Sequence, residues 1–386
     1  MYYLISLLKP VVVSPTFKSH LFITSILGLA RVLPISQRIK HSNMHRYYVT
    51  YSDRNYLVRM ITLAQSLAKV EEEPYTLICG CFDSITRLIL TKLNIPNVVC
   101  LPLDEIENFD LDLMVAKGDR TLTEYYWTLT ATIILHAMNK YPDCEMMTYT
   151  DADTMFFSSP EPIFEEIGEA AIMIHEHRYQ KEIIHLKDQS GIFNVGLMSF
   201  RNNSVGRQAL HWWRDRCLEW CYARFEDGKF GDQKYLDDWP TRFEEVHVLK
   251  HLGAGTAPWN HGNYIFSCDD SDRILVDGQE LIHYHFHGLE IHQPGIYLTF
   301  KYNYFIQDQV LALCYIPYIE QLEQAQQMIE AVLPDFGFGL GAKPELMQVQ
   351  KVIINRSIDP QKLGLSLTPN KGQLSENWNY YYPTPT

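Results

Sequence analysis

Apolar and polar positions along the chain predict strands and helices that follow one another in turn. Residues 47–52, 75–81 and 97–101 are strand-like runs rich in β-branched and aromatic side chains. Between them, residues 57–68 and 83–93 place apolar side chains at helical spacing. Alternating strands and helices of this kind predict an α/β fold, in which helices flank a mostly parallel central sheet.

The pattern changes near both ends of the chain. Residues 1–44 hold two apolar runs, each shorter than the roughly 20 residues of a membrane span, so we expect an extension that is irregular or contacts a membrane surface peripherally. Residues 45–308 carry the α/β pattern and form the predicted main domain. Helical spacing returns at 317–333, after which Gly, Pro and Asn become frequent. Residues 309–386 are therefore expected to form a helical C-terminal segment and a loop-rich tail.

A pair of acidic residues follows a strand-like run at 146–150. Asp151 and Asp153 stand two positions apart, and side chains at that separation point to the same side of an extended chain. Carboxylates are rarely buried unless they are paired or bind a metal, and a divalent cation relieves the repulsion between two of them. Asp also favours turns, so the pair alone predicts a turn or a divalent-metal site with equal weight.

A run of alternating histidines forms a second dense cluster of polar residues. His283, His285 and His287 occupy every second position of a strand-like segment, which would turn three imidazoles to one face. Imidazoles are common metal ligands, so the alternation favours a functional site over three separate structural histidines. The polar run 175–178, by contrast, favours a solvated loop over a place in a cleft.

The segment 191–200 is apolar except for Asn194 and Ser199. An amide inside such a run needs a hydrogen-bond partner, which is either backbone or a ligand. Gly196 follows two residues later and permits another group to approach the backbone closely.

Composition and charge narrow the functions. The formal net charge is −13 for 386 residues, which argues against a nucleic-acid binder because such proteins rely on basic patches. Eight cysteines without a Cys-x-x-Cys pair indicate reduced thiols, so we expect a cytoplasmic location, with membrane association through the N-terminal extension. In a chain this acidic, an anionic substrate would need a local cation, which a metal could supply.

No Gly-x-Gly-x-x-Gly segment follows the first strand, where Thr50, Tyr51 and Ser52 stand instead. A glycine loop lets backbone amides hold a pyrophosphate, so its absence argues against a dinucleotide oxidoreductase. Ligands of open α/β sheets bind at the carboxyl ends of the strands, where these three residues lie. A nucleotide bound there would need the acidic pair and a cation to neutralise its diphosphate.

Taken in chain order, five stretches resemble the motifs of one enzyme family. They are Tyr48-Val49-Thr50-Tyr51-Ser52, Thr148-Tyr149-Thr150-Asp151-Ala152-Asp153, Phe193-Asn194-Val195-Gly196, Gly231-Asp232-Gln233 and His285-Phe286-His287-Gly288. The ordered set, which covers about residues 47–301, resembles glycosyltransferases of the GT-A fold. Within that fold it is most similar to glycosyltransferase family 8, which includes glycogenin and the lipopolysaccharide galactosyltransferases.

The resemblance implies a Rossmann-like GT-A domain that transfers a sugar from a nucleoside-diphosphate sugar. UDP is the expected nucleotide, and the anomeric configuration is expected to be retained. Asp151, Asp153 and His285 match the family's metal ligands. The nitrogen ligand favours Mn²⁺ over Mg²⁺, which prefers oxygen. The expected acceptor is a glycan, a lipid or a protein, and variable loops would bind it.

Further roles are implied by the same motifs. Asn194 and Asp232 would orient hydroxyl groups of the donor sugar, and Gln233 would lie beside the anomeric carbon. If the reaction instead inverts the configuration, Asp232 is the first candidate for the base. The other expected contacts of the nucleotide sugar are Thr50, Tyr51, Ser52, Asp151 and Gly196.

The chain departs from the family after the histidine motif, where Leu289-Glu290-Ile291-His292 stands in place of Lys-Pro-Trp. A cation for the diphosphate must then come from another position. The candidates are Arg120, Lys301 and His292, of which we assign Arg120 to the donor site.

Two other functions fit parts of the same pattern. A metallohydrolase built on His283, His285 and His287 explains the three histidines but not the nucleotide-like sheet. A sugar- or nucleotide-binding module without catalysis explains the sheet and predicts binding without turnover.

Overall fold

The computed structural model describes residues 45–300, 304, 306–341, 349–359, 367, 372–373 and 375–382. These residues belong to one compact unit. The expected N-terminal extension, residues 1–44, lies outside the described residues.

A seven-stranded sheet forms the centre of the described chain. The first eight strands are β1 (Arg46–Ser52), β2 (Tyr75–Cys81), β3 (Val98–Pro102), β4 (Met146–Thr150), β5 (Thr154–Phe156), β6 (Ile172–Glu176), β7 (Phe193–Arg201) and β8 (Val246–Val248). All of them except β5 enter the sheet, in the order β3-β2-β1-β4-β7-β6-β8. Strand β7 is antiparallel to its neighbours β4 and β6, and the other neighbouring pairs are parallel. The predicted mostly parallel α/β sheet is confirmed.

Helices surround this sheet. They are α1 (Leu57–Val70), α2 (Ser84–Leu93), α3 (Leu103–Phe109), α4 (Asp112–Lys117), α5 (Leu122–Lys140), α6 (Glu161–Ile167), α7 (Leu186–Ser190), α8 (Ser204–Glu219), α9 (Trp239–Arg242), α10 (Asp308–Val310) and α11 (Ile316–Val332). Short 3₁₀ helices lie at Lys181–Ile183, Gln233–Asp238 and His261–Asn263, and a π-helical turn at Leu311–Tyr315 joins α10 to α11.

Helices pack on both faces of the sheet and create two hydrophobic cores. Helices α1 and α11 pack together on one face, and α5 and α8 pack together on the other. Strand β1 contributes to both cores, because successive side chains of a strand point to opposite faces. Tyr48 is buried in the first core and Val49 in the second.

Helix α5, which leads into β4, begins with a capping box formed by Thr121 and Glu124. The backbone N–H of Glu124 donates to Thr121 Oγ1 at 3.4 Å, and the backbone N–H of Thr121 donates to Glu124 Oε2 at 2.8 Å. This exchange satisfies two of the donors that a helix start leaves open. The capping box thereby fixes where the helix in front of the acidic pair begins.

The remaining strands form three smaller sheets. They are β9 (Phe266–Cys268), β10 (Ile274–Val276), β11 (Gln279–Glu280), β12 (His283–His285), β13 (Leu289–Gln293), β14 (Ile296–Phe300), β15 (Val349–Asn355), β16 (Gly372–Gln373) and β17 (Trp378–Tyr381). Strands β9 to β11 form one sheet, β12 pairs with β5, and the order β13-β14-β15-β17-β16 makes the third.

The C-terminal region contains helix α11, and strands lie in the part of it that was expected to be a loop-rich tail. Strand β17 pairs with β15, and Trp378 and Tyr380 are buried on the same side of it. The sequence did not predict this strand, because its partner lies more than twenty residues away along the chain. A local pattern of apolar residues does not reveal such a distant pairing. None of the described helices combines the length and apolar character that a membrane span requires.

A buried ion pair joins α8 to the segment between α3 and α4. Asp110 is 6% exposed, and its Oδ2 accepts hydrogen bonds from Arg214 Nε at 2.7 Å and from Thr132 Oγ1 at 3.1 Å. Asp112 also contacts Arg214, but the side chain of Asp112 is 70% exposed. Burial opposes ionisation of Asp110, and the hydrogen bonds and charge of Arg214 outweigh that effect and lower the pKa of Asp110.

We expect Asp110→Ala to reduce the free energy of unfolding by about 3 kcal/mol, because it leaves donors of Arg214 unpaired. Asp112→Ala is the control and should cost less than about 1 kcal/mol, since exposed ion pairs contribute little. The lowered pKa means that the Asp110 contribution is complete above the unfolded-state pKa of about 3.9 and is lost as the pH falls through the native pKa. Urea unfolding at pH 7 and at stepwise lower pH measures both effects, and equal losses in the two variants would contradict this account.

Candidate functional site

Strand β4 delivers the acidic pair to the carboxyl end of the central sheet. Asp151 directly follows the strand, and its Oδ1 accepts a hydrogen bond from the Tyr149 hydroxyl at 2.6 Å. Its backbone N–H donates to the carbonyl of Gly196 in the neighbouring strand β7 at 3.2 Å. The backbone carbonyl of Asp151 accepts from Thr154 Oγ1 at 2.8 Å. These bonds shape a tight connection between β4 and β5 and fix where both carboxylates lie.

The pairing of β5 with β12 brings the third predicted ligand to the same place. His285 lies opposite Thr154 in this antiparallel pair, and the backbone N–H of Phe286 donates to the Asp153 carbonyl at 2.8 Å. The His285 Nε2 atom lies 3.1 Å from Asp153 Oδ1 and 3.7 Å from Asp151 Oδ2. The structure therefore brings together all three residues that the sequence proposes as metal ligands.

Opposite charges within this group shift its pKa values in different directions. Burial raises the pKa of Asp151, and neighbouring His285 only partly opposes this. Burial acts the same way on Asp153, but the charge and hydrogen bond of His285 outweigh it and lower that pKa. Burial disfavours the charged form of His285, and Asp153 outweighs this and raises the His285 pKa. In the metal-free chain the shifts therefore favour an ion pair between Asp153 and His285.

The chemistry of these side chains fits a divalent cation. Two carboxylates and one imidazole offer oxygen and nitrogen donors of the kind that first-row divalent ions accept. The Nε2 atom of His285 faces the carboxylates, and its Nδ1 is buried without a hydrogen-bond partner among the described residues. The ring therefore presents one nitrogen to the acidic pair.

Gly196 leaves room for His285 beside strand β7. A Cβ atom at this position would lie 2.7 Å from His285 Nδ1 and 2.7 Å from Asn194 Oδ1. Those separations are shorter than any that real Cβ atoms adopt, so a side chain here would displace one of these groups. The close approach expected at Gly196 is therefore present, and the group that approaches is the proposed ligand.

Asn194 and Gln233 are joined by hydrogen bonds next to this site. Asn194 Oδ1 accepts from the Gly196 backbone N–H at 2.9 Å, and its Nδ2 donates to Gln233 Oε1 at 3.4 Å. Gln233 Nε2 in turn donates to the Ser190 carbonyl at 2.8 Å. The two amides thus have defined orientations, and both predicted residues lie in one hydrogen-bonded group.

Asp232 is buried in front of the 3₁₀ helix that carries Gln233. Burial, and then the negative charge of Asp151, raise the pKa of Asp232 to about 8. Its backbone carbonyl accepts a hydrogen bond from Trp213 Nε1 at 2.9 Å, which anchors the residue to α8. Asp232 therefore carries a proton at neutral pH in the metal-free chain.

The three residues at the end of β1 divide between the two faces of the sheet. Tyr51 stacks on Phe82 with ring centroids 4.8 Å apart, and its hydroxyl shares a hydrogen bond with Thr130 Oγ1 at 2.8 Å. Ser52 points the other way and its Oγ donates to Met60 of α1 at 3.4 Å. Thr50 is fully buried, and its Oγ1 has no partner among the described residues. Tyr51 is thus on the α5 side of the sheet, whereas Thr50 and Ser52 are on the α1 side.

Arg120 has a different environment from the one expected. Its side chain is 2% exposed, and its guanidinium donates to the carbonyls of Cys217 and Leu218 at 3.1 and 2.9 Å. These carbonyls belong to the last turn of α8, where helix carbonyls lack intrahelical donors. Arg120 therefore stabilises a helix end, and its expected contact with a diphosphate has no support in this geometry. Lys301 lies outside the described residues.

The three-histidine site proposed as an alternative does not form in the described chain. His283 is buried, and its Nε2 lies 3.2 Å from Thr150 Oγ1. The group whose ligand atoms lie within 4.8 Å of one another consists of Asp153, His285 and His287 instead. His285 and His287 therefore lie together beside Asp153, whereas His283 takes no part in the group.

Sequence analysis missed two buried histidines at the end of β6. His175 and His177 are 2% and 3% exposed, so the expectation of a solvated loop at 175–178 is wrong for both. His177 Nδ1 lies 3.3 Å from the Ile192 carbonyl, and its Nε2 lies 3.4 Å from Asn194 Nδ2. Burial lowers the pKa of His177 to about 3, so the neutral ring accepts from the Asn194 amide. The signal available in the sequence was their spacing, which equals that of Asp151 and Asp153.

Sequence comparison relates this chain to two proteins of Bacillus subtilis. No protein-family model matches the chain. The Bacillus subtilis (strain 168) protein YfnD is 32% identical over 295 residues, which cover 76% of this chain and 94% of YfnD. YfnF of the same strain is 33% identical over 250 residues, which cover 63% of this chain and 82% of YfnF. Both relatives are described as uncharacterized.

Two glycosyltransferases are among the solved structures with a similar backbone fold. A galactosyltransferase, LgtC, in complex with donor and acceptor sugar analogues has a TM-score of 0.45 and 15% identity, with coverage of 78% of this chain and 98% of LgtC. Mouse xyloside xylosyltransferase 1 has a TM-score of 0.40 and 12% identity, with coverage of 63% and 98%.

The sheet and the carboxylate–histidine group define an α/β protein with a candidate divalent-metal site at the carboxyl end of its central strands. Within that class, the chain belongs to the same family as YfnD, because the two sequences are 32% identical over 94% of the length of YfnD.

We expect Gly196→Ala to weaken Mn²⁺ binding at least about 10-fold, because the new methyl group would displace His285 from the carboxylates. Loss of Mn²⁺ affinity is measured by electron paramagnetic resonance (EPR) of the free ion. Gly337→Ala is the matched control, since its nearest heavy atom would lie 3.9 Å from the added Cβ. Unchanged Mn²⁺ affinity in Gly196→Ala, with the fold intact by circular dichroism, would refute the role given to this glycine.

Proposed function

We propose that this protein is a metal-dependent glycosyltransferase that uses a nucleoside-diphosphate sugar, with UDP as the expected nucleotide. The observation that carries the proposal is the 3.1 Å contact between Asp153 and His285, which come from distant parts of the chain. It lies at the carboxyl end of β4, and ligands of open α/β sheets bind at that edge. The ordered motifs that resemble glycosyltransferase family 8 support the same function.

The acidity of the chain supports a bound cation. A nucleotide diphosphate is strongly anionic, the protein carries a formal net charge of −13, and β1 is not followed by a glycine loop. A divalent cation held by Asp151, Asp153 and His285 would act as a Lewis acid on the departing nucleoside diphosphate. Mn²⁺ fits this donor set better than Mg²⁺ because of the imidazole.

Other residues of the site would bind and orient the donor sugar. One hydrogen bond joins the amides of Asn194 and Gln233, and backbone groups hold both. This suits the two side chains to fix the sugar with little loss of conformational freedom. Asp232, which is buried in front of Gln233, would hydrogen-bond to a sugar hydroxyl. Retention of the anomeric configuration is proposed from the resemblance to glycosyltransferase family 8.

Incubation with Mn²⁺ and a panel of nucleotide sugars tests the proposal. We expect slow hydrolysis of one UDP-sugar, loss of that activity with EDTA and its recovery with Mn²⁺. Asp153→Asn should lower kcat/KM at least about 10³-fold, since a bound cation supplies several kcal/mol of charge stabilisation. Asp112→Asn, at an exposed site on α4, should change kcat/KM less than twofold.

Each rival function has its own outcome in the same experiment. Full activity of Asp153→Asn would show that the metal assignment is wrong. Zinc-dependent ester cleavage without a nucleotide would favour the metallohydrolase. Tight nucleotide binding without turnover, even with acceptor sugars present, would favour the binding module.

A further inference from the structure

His287 lies within reach of the same cation. Ligand atoms of Asp153, His285 and His287 all lie within 4.8 Å of one another. Ligands at the usual metal distance of about 2.1 Å are separated by at most about 4.2 Å. The atoms of this group therefore need to approach one another by no more than about 0.6 Å to bind one ion. We propose that His287 is a further metal ligand, which adds a second imidazole beside His285 and Asp153. This inference rests on the proposed function.

The residue between the two histidines is anchored on both sides. Phe286 donates its backbone N–H to the Asp153 carbonyl at 2.8 Å. Its ring is 1% exposed and stacks on Tyr318 of α11, with centroids 3.7 Å apart and planes within 6°. Gly288 then takes a φ of +77°, a conformation that glycine adopts without strain, and ends the segment. His285 and His287 therefore leave a fixed backbone next to Asp153.

One buried aromatic ring contacts both imidazoles. Trp259 is 4% exposed, and its ring centroid lies 5.2 Å from that of His285 and 5.7 Å from that of His287. The two imidazole rings are 5.9 Å apart and nearly perpendicular, at 88°. Contact with the same indole limits the positions that either ring can adopt, which is how a protein holds ligands ready for an ion.

Other buried histidines of this region do not belong to the group. His283 has the same alternating position in the sequence, but it pairs with Thr150 and takes no part in the group. His175 faces the Leu197 carbonyl at 2.9 Å. Within the described residues, no other set of three potential ligands comes as close together.

A second imidazole changes which ions the site prefers. Mg²⁺ selects oxygen ligands, whereas Mn²⁺, Co²⁺ and Zn²⁺ accept nitrogen readily. A site with two nitrogens should therefore discriminate against Mg²⁺ more strongly than a site with His285 alone. His287 would make the protein selective for first-row transition ions.

The test uses the full chain without nucleotide. Mn²⁺ is titrated while EPR follows the free ion, and electron spin-echo modulation counts directly bound nitrogens. We expect two nitrogens in the unaltered protein and one in His287→Ala, with a Kd for Mn²⁺ at least about 10-fold higher and a Kd for Mg²⁺ changed less than threefold. His211→Ala, at an exposed position of α8, is the control and should match the unaltered protein.

An unchanged Kd and nitrogen count in folded His287→Ala would overturn the inference. If that variant fails to fold, His287→Gln gives the same readout with a smaller change in volume. Two nitrogens without turnover of any nucleotide sugar would overturn the proposed function but leave this inference standing. Mn²⁺-dependent donor hydrolysis with one bound nitrogen in the unaltered protein would overturn the inference alone.

Discussion

The contact between Asp153 and His285 depends on the meeting of two chain segments that are far apart in sequence. Strand β5 follows β4 of the central sheet in the chain. Strand β12 pairs with β5 in antiparallel register. The Phe286 N–H bond to Asp153 holds this register next to the carboxylate. Gly196 on β7 leaves the space into which the His285 ring fits. Altering any of these three features would move a carboxylate or an imidazole away from the other.

This arrangement contributes less to stability than its charges suggest. Bringing two carboxylates and an imidazole out of water costs several kcal/mol per ion, and mutual attraction offsets only part of that cost. The pKa values of Asp151 and Asp153 move in opposite directions, which is common where charged groups serve binding or catalysis. The cation that we propose for this site would offset part of that cost.

Sequence reasoning succeeded where the determining contacts are local. The helix at 57–68 and the strand in front of Asp151 follow from residues within a few positions of each other, and the structure contains both. It failed where partners are distant in the chain. The expected role of Arg120 did not anticipate the carbonyls of α8, and β17 depends on a partner strand that no local pattern reveals.

The histidines show the same division. Their alternating positions in the sequence predicted that three histidines lie together. Tertiary contacts determine which of them do, because His283 contacts Thr150 instead. The burial of His177 depends on Tyr179 and Trp259, whose rings lie 4.6 and 5.2 Å from its own. Whether a run of polar residues is buried or exposed therefore depends on the segments that pack around it.

A double-mutant cycle on the Mn²⁺-dependent affinity for UDP tests the central claim most directly. Asp153→Asn, His285→Gln and the double variant are compared by calorimetric titration with and without Mn²⁺. If both residues hold one cation beside the diphosphate, the double variant should lose little more affinity than the weaker single variant, since the interaction is already gone. Independent, additive losses, or UDP affinity that does not depend on Mn²⁺, would contradict the account.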